Sequence, residues 1–411
     1  MRNHLVNSKK RVIMDIFKSF KKHKPKNKDE MEQEQQEQQQ QQLKIDDSMF
    51  HLTNWMTSRE LSWEMFRANP DSGLCFSLEQ LQILQKLYFE IENQLKDYWV
   101  QNQSKLEDKD FENFIDFQHK FDQYYDGITL GRFLVARNFD LDDTMQMIIE
   151  DFEWRTFEVE MDKFMDQYPK SDWAKFIASY YPNVCHGVDR YGVEVNWEKV
   201  TLLDIDSFFK YIPFSEILSH HIFSVESSER RVRKKMKETK NYCFRRLLIE
   251  DLEGLSMKHF TPKVIELLKI SAEIDEKHYP ESLRQLYFIR AGPVFSVFWN
   301  GIVPFLNKTT SKKLVKIDSS KLIASLLEQV PDQTSWPITL LDSILDKNAD
   351  HKTCKYECKI QGCLPLGGEF PINQIPSSKD DILHNKKKHI FKIFKKKKNS
   401  NPKNLSTKLL K

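Results

Sequence analysis

The feature that most constrains the fold of this 411-residue chain is an apolar segment at residues 286–306, LYFIRAGPVFSVFWNGIVPFL. It approaches the length of about 18 apolar residues that identifies a candidate transmembrane helix, and no uninterrupted run of that length exists in the chain. The segment is interrupted by Arg290, Pro293, Asn300 and Pro304. Because charge and proline disfavour a continuous membrane helix, we predict a strand, a turn at 291–293 and a short helix.

The short helix is predicted to present a wide apolar stripe formed by Val294, Phe295, Phe298, Trp299 and Ile302. Such a stripe has two interpretations. It packs permanently on the neighbouring sheet, or it acts as a lid over a cavity for an apolar ligand.

Helices alternate with short apolar runs after residue 180. Strands are predicted at 193–197, 247–249, 286–289 and 314–317, and helices at 213–237 and around 264–270. Strand–helix–strand crossovers of this length require a parallel or mixed sheet. The second half of the chain is therefore predicted to be an α/β domain.

A helical pattern covers residues 76–180. Apolar residues recur at three- and four-residue steps at Leu78, Leu81, Leu84, Leu87, Tyr88 and Ile91. The spacing continues at Phe111, Phe114, Phe117 and Phe121. Asp140 is predicted to cap a further helix. The region is predicted to form a helical bundle.

The motifs of several enzyme classes are missing. The chain has only 11 glycines, and none form a dinucleotide-binding, Walker or nucleophile-elbow motif. His220 and His221 favour a packing or surface pair over a catalytic base. Asp204 and Asp206 favour a helix cap over a cation site. We predict a protein that is not an enzyme and has no cofactor.

Six cysteines in a chain of this length favour a reducing compartment over a disulfide framework. A weak candidate zinc site is formed by His351, Cys354, Cys358 and Cys363. Their spacing departs from the common paired motif, so the favoured interpretation is reduced thiols in an insertion at 337–363.

Charge is concentrated at the two ends. Residues 1–28 have a net charge of +9 and residues 379–411 of +10, which leaves −16 for residues 29–378. A Gln/Glu-rich stretch at 29–47 is predicted to be a disordered linker. Basic ends on an acidic body indicate tails that seek an anionic surface.

Both tails combine aromatic residues with lysines, in IFKSFKKHKPK (16–26) and HIFKIFKKKK (389–398). This pattern is typical of interfacial membrane segments. The predicted membrane contacts are Lys395, Lys396 and Lys397, with Arg230 and Arg231 from the basic helix at 226–238. The alternatives are nucleic-acid binding or nuclear import for the tails, a mitochondrial presequence for the first tail and a solvated face for the helix. We expect a cytoplasmic protein that binds membranes peripherally and does not bind nucleic acid.

Seven segments in order resemble the CRAL-TRIO lipid-binding domain of phosphatidylinositol/phosphatidylcholine transfer proteins and of tocopherol and retinaldehyde carriers. They are TLGRFLVARNFDLDD (129–143), EWR (153–155), GVDRYGVEV (187–195), LIEDLEGLSM (248–257), HYPESLRQLYFIRAGPVFSVFW (278–299), FLNKTTSKKL (305–314) and LPLGGE (364–369). The resemblance implies a mixed or parallel sheet and helical walls around an apolar lipid pocket, gated by residues 294–306.

The predicted organisation has five parts. A basic segment at 1–28 is followed by a Gln/Glu-rich linker at 29–75, a helical region at 76–180, the lipid-binding domain at 181–375 and a basic tail at 376–411. The gate residues are predicted to be Phe295, Phe298, Trp299 and Ile302.

The resemblance also implies a headgroup site. Glu281 and Lys313 match positions that contact the inositol phosphate in phosphatidylinositol-binding members, and Arg132 matches a further basic position. The alternative is a simple ion pair between Glu281 and Lys313. Arg246 and Leu248 stand where relatives have Ser and Thr for choline lipids, and Ser282 replaces a common Arg.

The expected function is the binding and exchange of phosphatidylinositol at anionic membranes. The alternatives are a lipid-sensing regulatory scaffold and a carrier of another hydrophobic ligand, in both cases without net transfer. The expected partners are a phospholipid and an anionic membrane surface, whereas the sequence identifies no protein partner.

Overall fold

The computed structural model describes residues 59–107, 111, 113–337 and 370–376, together with residues 52 and 56. The chain divides into two compact units, Met1–Ser62 and Trp63–Lys411. Every strand of the described residues belongs to the second unit.

Five strands form one mixed sheet in the order β1-β2-β3-β4-β5. They are β1 Asn183–Val188, β2 Glu194–Glu198, β3 Arg246–Asp251, β4 Leu283–Ile289 and β5 Leu314–Lys316. Strands β2 to β5 are parallel, and β1 pairs antiparallel with β2. The predicted α/β fold class, with a helical region followed by a mixed sheet, is confirmed.

Helices precede the sheet and connect its parallel strands. The first six are α1 Leu78–Glu107, α2 Phe114–Tyr124, α3 Gly127–Ala136, α4 Leu141–Glu153, α5 Met161–Gln167 and α6 Asp172–Tyr180. The crossovers use α7 Ile205–Tyr211, α8 Phe214–Thr239, α9 Pro262–His278, α10 Phe295–Ile302 and α11 Lys308–Lys312, and α12 Leu322–Gln329 follows β5. The predicted helix caps are confirmed. The side chains of Asp140 and Asp204 accept hydrogen bonds from backbone amides in the first turns of α4 and α7.

One face of the sheet carries the hydrophobic core of the α/β part. Successive strand residues point to opposite faces, and alternate residues of β2, β3 and β4 pack with α12 and Trp336. The buried cluster contains Val195, Trp197, Leu247, Ile249, Tyr287, Ile289, Ile317, Leu322, Leu326, Val330 and Trp336. We call this the outer face, and the opposite face the inner face.

Strand β1 is a strand that the sequence analysis did not predict. It joins β2 through a hairpin whose register shifts between Cys185 and Val188. Gly187 lies at this irregularity with φ +72°, and a Cβ there would meet Ser335 at 2.2 Å. The close approach and positive φ both require glycine. Burial along β1 does not alternate, so the usual strand pattern is missing.

The helical region has an aromatic core. Phe117 is fully buried and its ring lies 5.3 Å from that of Phe152, while Phe121 stacks on Tyr125 at 4.5 Å. Aromatic rings at these separations stabilise the fold beyond the contribution of their buried apolar area. The periodicity of the sequence therefore identified a true helix-packing face.

Buried ion pairs tie the helical region to the helices of the α/β part. Arg155 contacts Asp151 at 3.0 Å and Glu226 of α8 at 2.8 Å. His278 of α9 bonds to Asp151 at 2.8 Å. Although burial opposes ionisation, Arg155 lowers the pKa of Glu226 to about 2. These contacts fix the helices around the inner face.

Part of the predicted linker at 29–75 is packed. Trp63–Phe66 forms a 3-10 turn, Arg67 bridges to Cys75, and Phe66 and Leu74 are buried. Apolar side chains within an otherwise polar stretch explain this packing, because they contribute to a shared core.

Several predicted features lie outside the described residues. They are residues 1–28, the Gln/Glu-rich stretch 29–47, the insertion beyond residue 337, Lys395, Lys396, Lys397, His351, Cys354, Cys358 and Cys363. The side chain of Ile302 is likewise outside the description. None of the helices in the described ranges combines the length and hydrophobicity that a membrane span requires.

Candidate functional site

Four cationic side chains meet at the edge of the sheet where β3, β4 and β5 begin. Arg246 is the first residue of β3, Arg245 precedes it, and Lys313 immediately precedes β5. Because neighbouring parallel strands start at the same edge, these residues approach one another. Arg132 of α3 reaches the same edge, where its Nε donates to the carbonyl oxygen of Pro280 at 2.8 Å.

Two carboxylates hold the four cations. Glu229 of α8 contacts Arg132 at 2.6 Å and Arg246 at 3.4 Å. Glu281 contacts Arg245 at 2.8 Å and Lys313 at 3.2 Å. We name this group the edge cluster, which consists of Arg132, Arg245, Arg246, Lys313, Glu229 and Glu281.

The structure brings all three predicted headgroup residues together in the edge cluster. Glu281 and Lys313 form the ion pair that the alternative interpretation also expects. Arg132 is joined to them indirectly, because it bonds to Pro280, next to Glu281 in the chain. This geometry satisfies both the predicted headgroup site and the predicted ion pair.

Sequence reasoning missed Arg245 and Glu229, and it noted Arg246 only as a departure from the family pattern. A signal for the arginines was present, since a basic pair directly precedes a predicted strand. Glu229 had no such signal because it lies within the charged helix α8, where many side chains are solvated.

Glu281 is held in an uncommon backbone conformation. Its φ is +56°, in the left-handed region that non-glycine residues seldom adopt. The residue lies in the turn between α9 and β4, where its carboxylate faces Arg245 and Lys313. Strained residues of this kind concentrate at binding sites because the surrounding contacts must hold them in place.

The edge cluster is largely removed from water. Its side chains are between 7 and 19% exposed. Burial, together with the charges of Arg245 and Arg132, lowers the pKa of Lys313 despite the opposing effect of Glu281. Conversely, Arg132 and Arg246 overcome burial and lower the pKa of Glu229. Charges within the cluster therefore act on the ionisation of its own members.

The predicted gate helix packs on the inner face. The ring of Phe288 in β4 lies 5.0 Å from Phe295, 6.0 Å from Phe298 and 6.3 Å from Trp299. Leu286 and Leu314 of the inner face contribute to the same cluster. Three of the four predicted gate residues therefore contact the predicted pocket floor.

Two exposed apolar side chains lie on the segments that carry this aromatic contact. Val297 of α10 is 51% exposed and Met257 is 59% exposed. Phe298 joins the two segments, because its ring lies 5.4 Å from Phe260, which follows the turn Met257–His259. The gate thus has a buried aromatic side and an exposed apolar tip.

The inner face also contains two buried carboxyl groups. Glu198 of β2 pairs in register with Glu250 of β3. Tyr181 donates a hydrogen bond to Glu198, and the Val200 amide donates to Glu250 at 3.2 Å. Burial raises the pKa of both carboxyls, and the charge of Glu198 raises that of Glu250 further. A protonated carboxyl can donate a hydrogen bond as well as accept one.

His220 and His221 lie near this carboxyl pair. His221 bonds to Asp275 at 2.9 Å, and this carboxylate raises the pKa of His221 although burial opposes the charge. Burial lowers the pKa of His220 to about 4. The pair is part of the polar lining between α8, α9 and the sheet.

The predicted basic contacts Arg230 and Arg231 are engaged in ion pairs. Arg230 contacts Glu226 at 2.9 Å and Asp162 at 2.8 Å, while Arg231 contacts Glu194 at 3.0 Å. Both remain more than 40% exposed. Their charges are partly compensated, which weakens them as attachment points for anionic lipid.

The described residues also bear on a metal site and on an internal cavity. Within the described ranges, no group of three or more His, Cys, Asp or Glu side chains is placed to hold a metal ion. A cavity of about 20 Å³ lies between α1, α2 and α4, lined by residues that include Leu95, Phe117 and Phe152. This volume is close to that of one water molecule, so the cavity does not suit a lipid chain.

The chain is similar in sequence to known proteins. Residues 178–335 match the family model of the CRAL/TRIO domain. The phosphatidylinositol/phosphatidylcholine transfer protein SFH9 of Arabidopsis thaliana is 32% identical over 214 residues, which cover 51% of this chain and 35% of that protein. SFH12, of the same description and organism, is 29% identical over 222 residues, which cover 53% of this chain and 39% of that protein.

Among solved structures, the crystal structure of Sfh5 matches with a TM-score of 0.46 and 19% identity, covering 60% of this chain and 83% of that one. The alignments with the two curated relatives span only slightly more than a third of their length.

Proposed function

We propose that this chain, whose residues 178–335 match the family model of the CRAL/TRIO domain, is a lipid carrier that binds phosphatidylinositol and exchanges it at anionic membranes without catalysing a reaction. The observation that carries the proposal is the convergence of Arg132, Glu281 and Lys313 in the edge cluster. The names of the two plant relatives, which describe phosphatidylinositol/phosphatidylcholine transfer, support the same lipid class.

The edge cluster has the chemistry for an inositol phosphate headgroup. Lys313 offers an ammonium group to the phosphodiester, and Glu281 accepts hydrogen bonds from ring hydroxyls. In the free protein these two groups satisfy each other at 3.2 Å. A bound headgroup would exchange this ion pair for charge-assisted hydrogen bonds of comparable strength.

The acyl chains would lie between the inner face and α10. Phe288, Leu286 and Leu314 supply an apolar floor, and Phe295 and Trp299 cover it. In the proposed exchange, Val297 and Met257 contact the membrane first because they are exposed at the gate. The tail lysines Lys395, Lys396 and Lys397 would add attraction to anionic headgroups.

A transfer assay tests the proposal. Donor vesicles contain labelled phosphatidylinositol, acceptor vesicles contain phosphatidylserine, and the full chain is added in substoichiometric amount. Movement of several lipid molecules per protein molecule supports exchange. Mass spectrometry of the purified protein, in which one phosphatidylinositol per chain is expected, identifies the cargo independently.

The assay separates the proposal from its alternatives. A chain that holds phosphatidylinositol without moving it between vesicles would be a lipid sensor. A different hydrophobic molecule in the purified protein, with no binding of phosphatidylinositol, would contradict the proposal and favour a carrier of another ligand.

A further inference from the structure

The charges of the edge cluster do not balance. Four cations share two carboxylates, so the side chains of the cluster have a net charge of +2. Asp71 also acts on the charge of Arg245, but it is 66% exposed and contacts Arg190. The excess positive charge is held where water screens it poorly, because every member of the cluster is less than one-fifth exposed.

Two donors of the cluster are also unused. The Nε atoms of Arg245 and Arg246 are buried and have no hydrogen-bond partner among the described residues. A buried donor without an acceptor is costly, and a guanidinium group presents its donors in a planar fork that matches phosphate oxygens. The pKa of Arg245 is lowered by burial and by Arg132, in spite of Glu281, as expected where cations lack counter-charge.

The two arginines are not needed to neutralise the carboxylates. Without Arg245, Glu281 keeps Lys313 as its partner at 3.2 Å. Without Arg246, Glu229 keeps Arg132 at 2.6 Å. Each carboxylate therefore has one cation more than it requires, and the surplus consists of two neighbouring guanidinium groups at the start of β3.

We propose that Arg245 and Arg246 bind a second anionic group, so that the edge cluster prefers an inositol headgroup that carries a phosphate monoester in addition to its phosphodiester. The proposal rests on the proposed function, in which Lys313 contacts the diester. A diester carries one negative charge and leaves one cation uncompensated. A monoester adds roughly −1.5 to −2 at neutral pH and several strong acceptor oxygens.

The test compares two lipids in the full chain. Phosphatidylinositol and phosphatidylinositol 4-phosphate are presented in phosphatidylcholine vesicles, with phosphatidylserine added to equalise surface charge. We expect the wild type to bind the phosphorylated lipid about ten- to a hundredfold more tightly, as charge-assisted bonds to guanidinium groups imply. Arg245→Gln and Arg246→Gln should each reduce this preference, measured as the ratio of the two affinities, several-fold.

Arg67→Gln is the matched control, because Arg67 is an exposed arginine whose guanidinium group lies over the ring of Trp63 at 5.7 Å. It should leave the preference unchanged. If a Gln variant does not fold, Arg245→Lys and Arg246→Lys keep the charge and remove the fork, and they should retain only part of the preference.

Soluble inositol 1,4-bisphosphate identifies the source of the ligand. If it displaces the phosphorylated lipid from the wild type, and not from the Gln variants, the cluster recognises the headgroup alone. If it does not compete while the lipid preference still depends on the arginines, the cluster requires the acyl chains as well.

A preference that is absent in the wild type, or that survives both arginine substitutions, would overturn the proposal. Failure of the proposed function would give a different result, because phosphatidylinositol binding by Lys313→Ala would then equal that of the wild type.

Discussion

The two faces of the sheet are built from the same strands and have opposite properties. On the outer face, Val195, Leu247, Ile249 and Ile289 are completely buried and belong to one hydrophobic cluster with Trp336. On the inner face, alternate positions of the same strands carry a mixture of charged, polar and apolar residues: Asn196, Glu198, Arg246, Leu248, Glu250, Leu286 and Phe288.

The difference separates a face that stabilises the fold from a face to which the proposed function assigns lipid binding. Complete apolar burial on the outer face stabilises the fold by the hydrophobic effect. On the inner face, Glu198, Glu250 and the edge cluster are buried charged or titratable groups, whose desolvation costs free energy. Groups that are unfavourable for folding are retained where they serve a ligand, so we expect mutations on the two faces to have separable effects.

The largest expected effect is on the outer face. Trp336 is 1% exposed, and its Nε1 donates to the Val330 carbonyl at 2.9 Å. We expect Trp336→Ala to reduce the free energy of unfolding by about 3–5 kcal/mol, the range for removing a large core side chain. Chemical denaturation measures this value.

Ile323→Ala is the control for the outer face. It lies on α12, which packs in the same cluster as Trp336, but it is 40% exposed, and its replacement should change stability by less than about 0.5 kcal/mol. The comparison between the faces would fail if the folded fraction of Trp336→Ala lost its lipid selectivity.

The second effect is on binding at the edge cluster. Lys313→Ala removes the cation that the proposed function assigns to the phosphodiester, so phosphatidylinositol binding should weaken by about 1.5–3 kcal/mol. A vesicle-binding titration measures the change. The neighbouring Lys312 is exposed, and Lys312→Ala should bind as the wild type does. Equal binding by the two variants would remove Lys313 from the site.

The third prediction concerns the basic tail, which lies outside the described residues. Deletion of residues 386–398 should weaken association with phosphatidylserine vesicles by about 1 kcal/mol for each lysine that contacts the surface. Pocket binding should persist, and added salt should reproduce the loss because it screens the same charges. Sedimentation with vesicles gives the measurement.

An equally long deletion of residues 399–411 removes three lysines instead of eight and is the control. Vesicle association that is independent of salt would exclude the tail as an electrostatic anchor.

The smallest expected effect is a pH dependence on the inner face. Burial and Glu198 raise the pKa of Glu250, so its contribution to stability is complete below the unfolded pKa and is lost as pH rises through the folded pKa. Glu250→Gln cannot ionise. Its stability relative to the wild type should therefore increase from pH 4.5 towards neutral pH, as measured by denaturation at several pH values.

Glu253 is a control whose pKa is shifted in the opposite direction. A hydrogen bond from Lys199 lowers the pKa of Glu253, so its contribution is lost as pH falls. Glu253→Gln should therefore lose stability relative to the wild type as pH rises. A difference between Glu250→Gln and the wild type that does not vary with pH would contradict the electrostatic account of the inner face.

Local patterns in the sequence determined much of the fold. Strands β2 to β5, the caps Asp140 and Asp204, and the division of residues 286–306 into strand, turn and helix follow from periodicity and residue type. Strand β1 was not predicted because its burial does not alternate and its hairpin contains a register shift. The predicted headgroup residues Glu281, Lys313 and Arg132 came from the family resemblance, since no local pattern distinguishes them.

The tertiary structure alone decided which distant side chains share a site. Arg132, Glu229, Arg245 and Lys313 come from four separate segments, and their approach depends on the order and register of parallel strands joined by long crossovers. Periodicity shows that a strand has two different faces, but it does not show which neighbour covers each face. A charged residue therefore has the same signature in the sequence whether it is solvated or buried, because its desolvation and its partners arise only when the elements pack together.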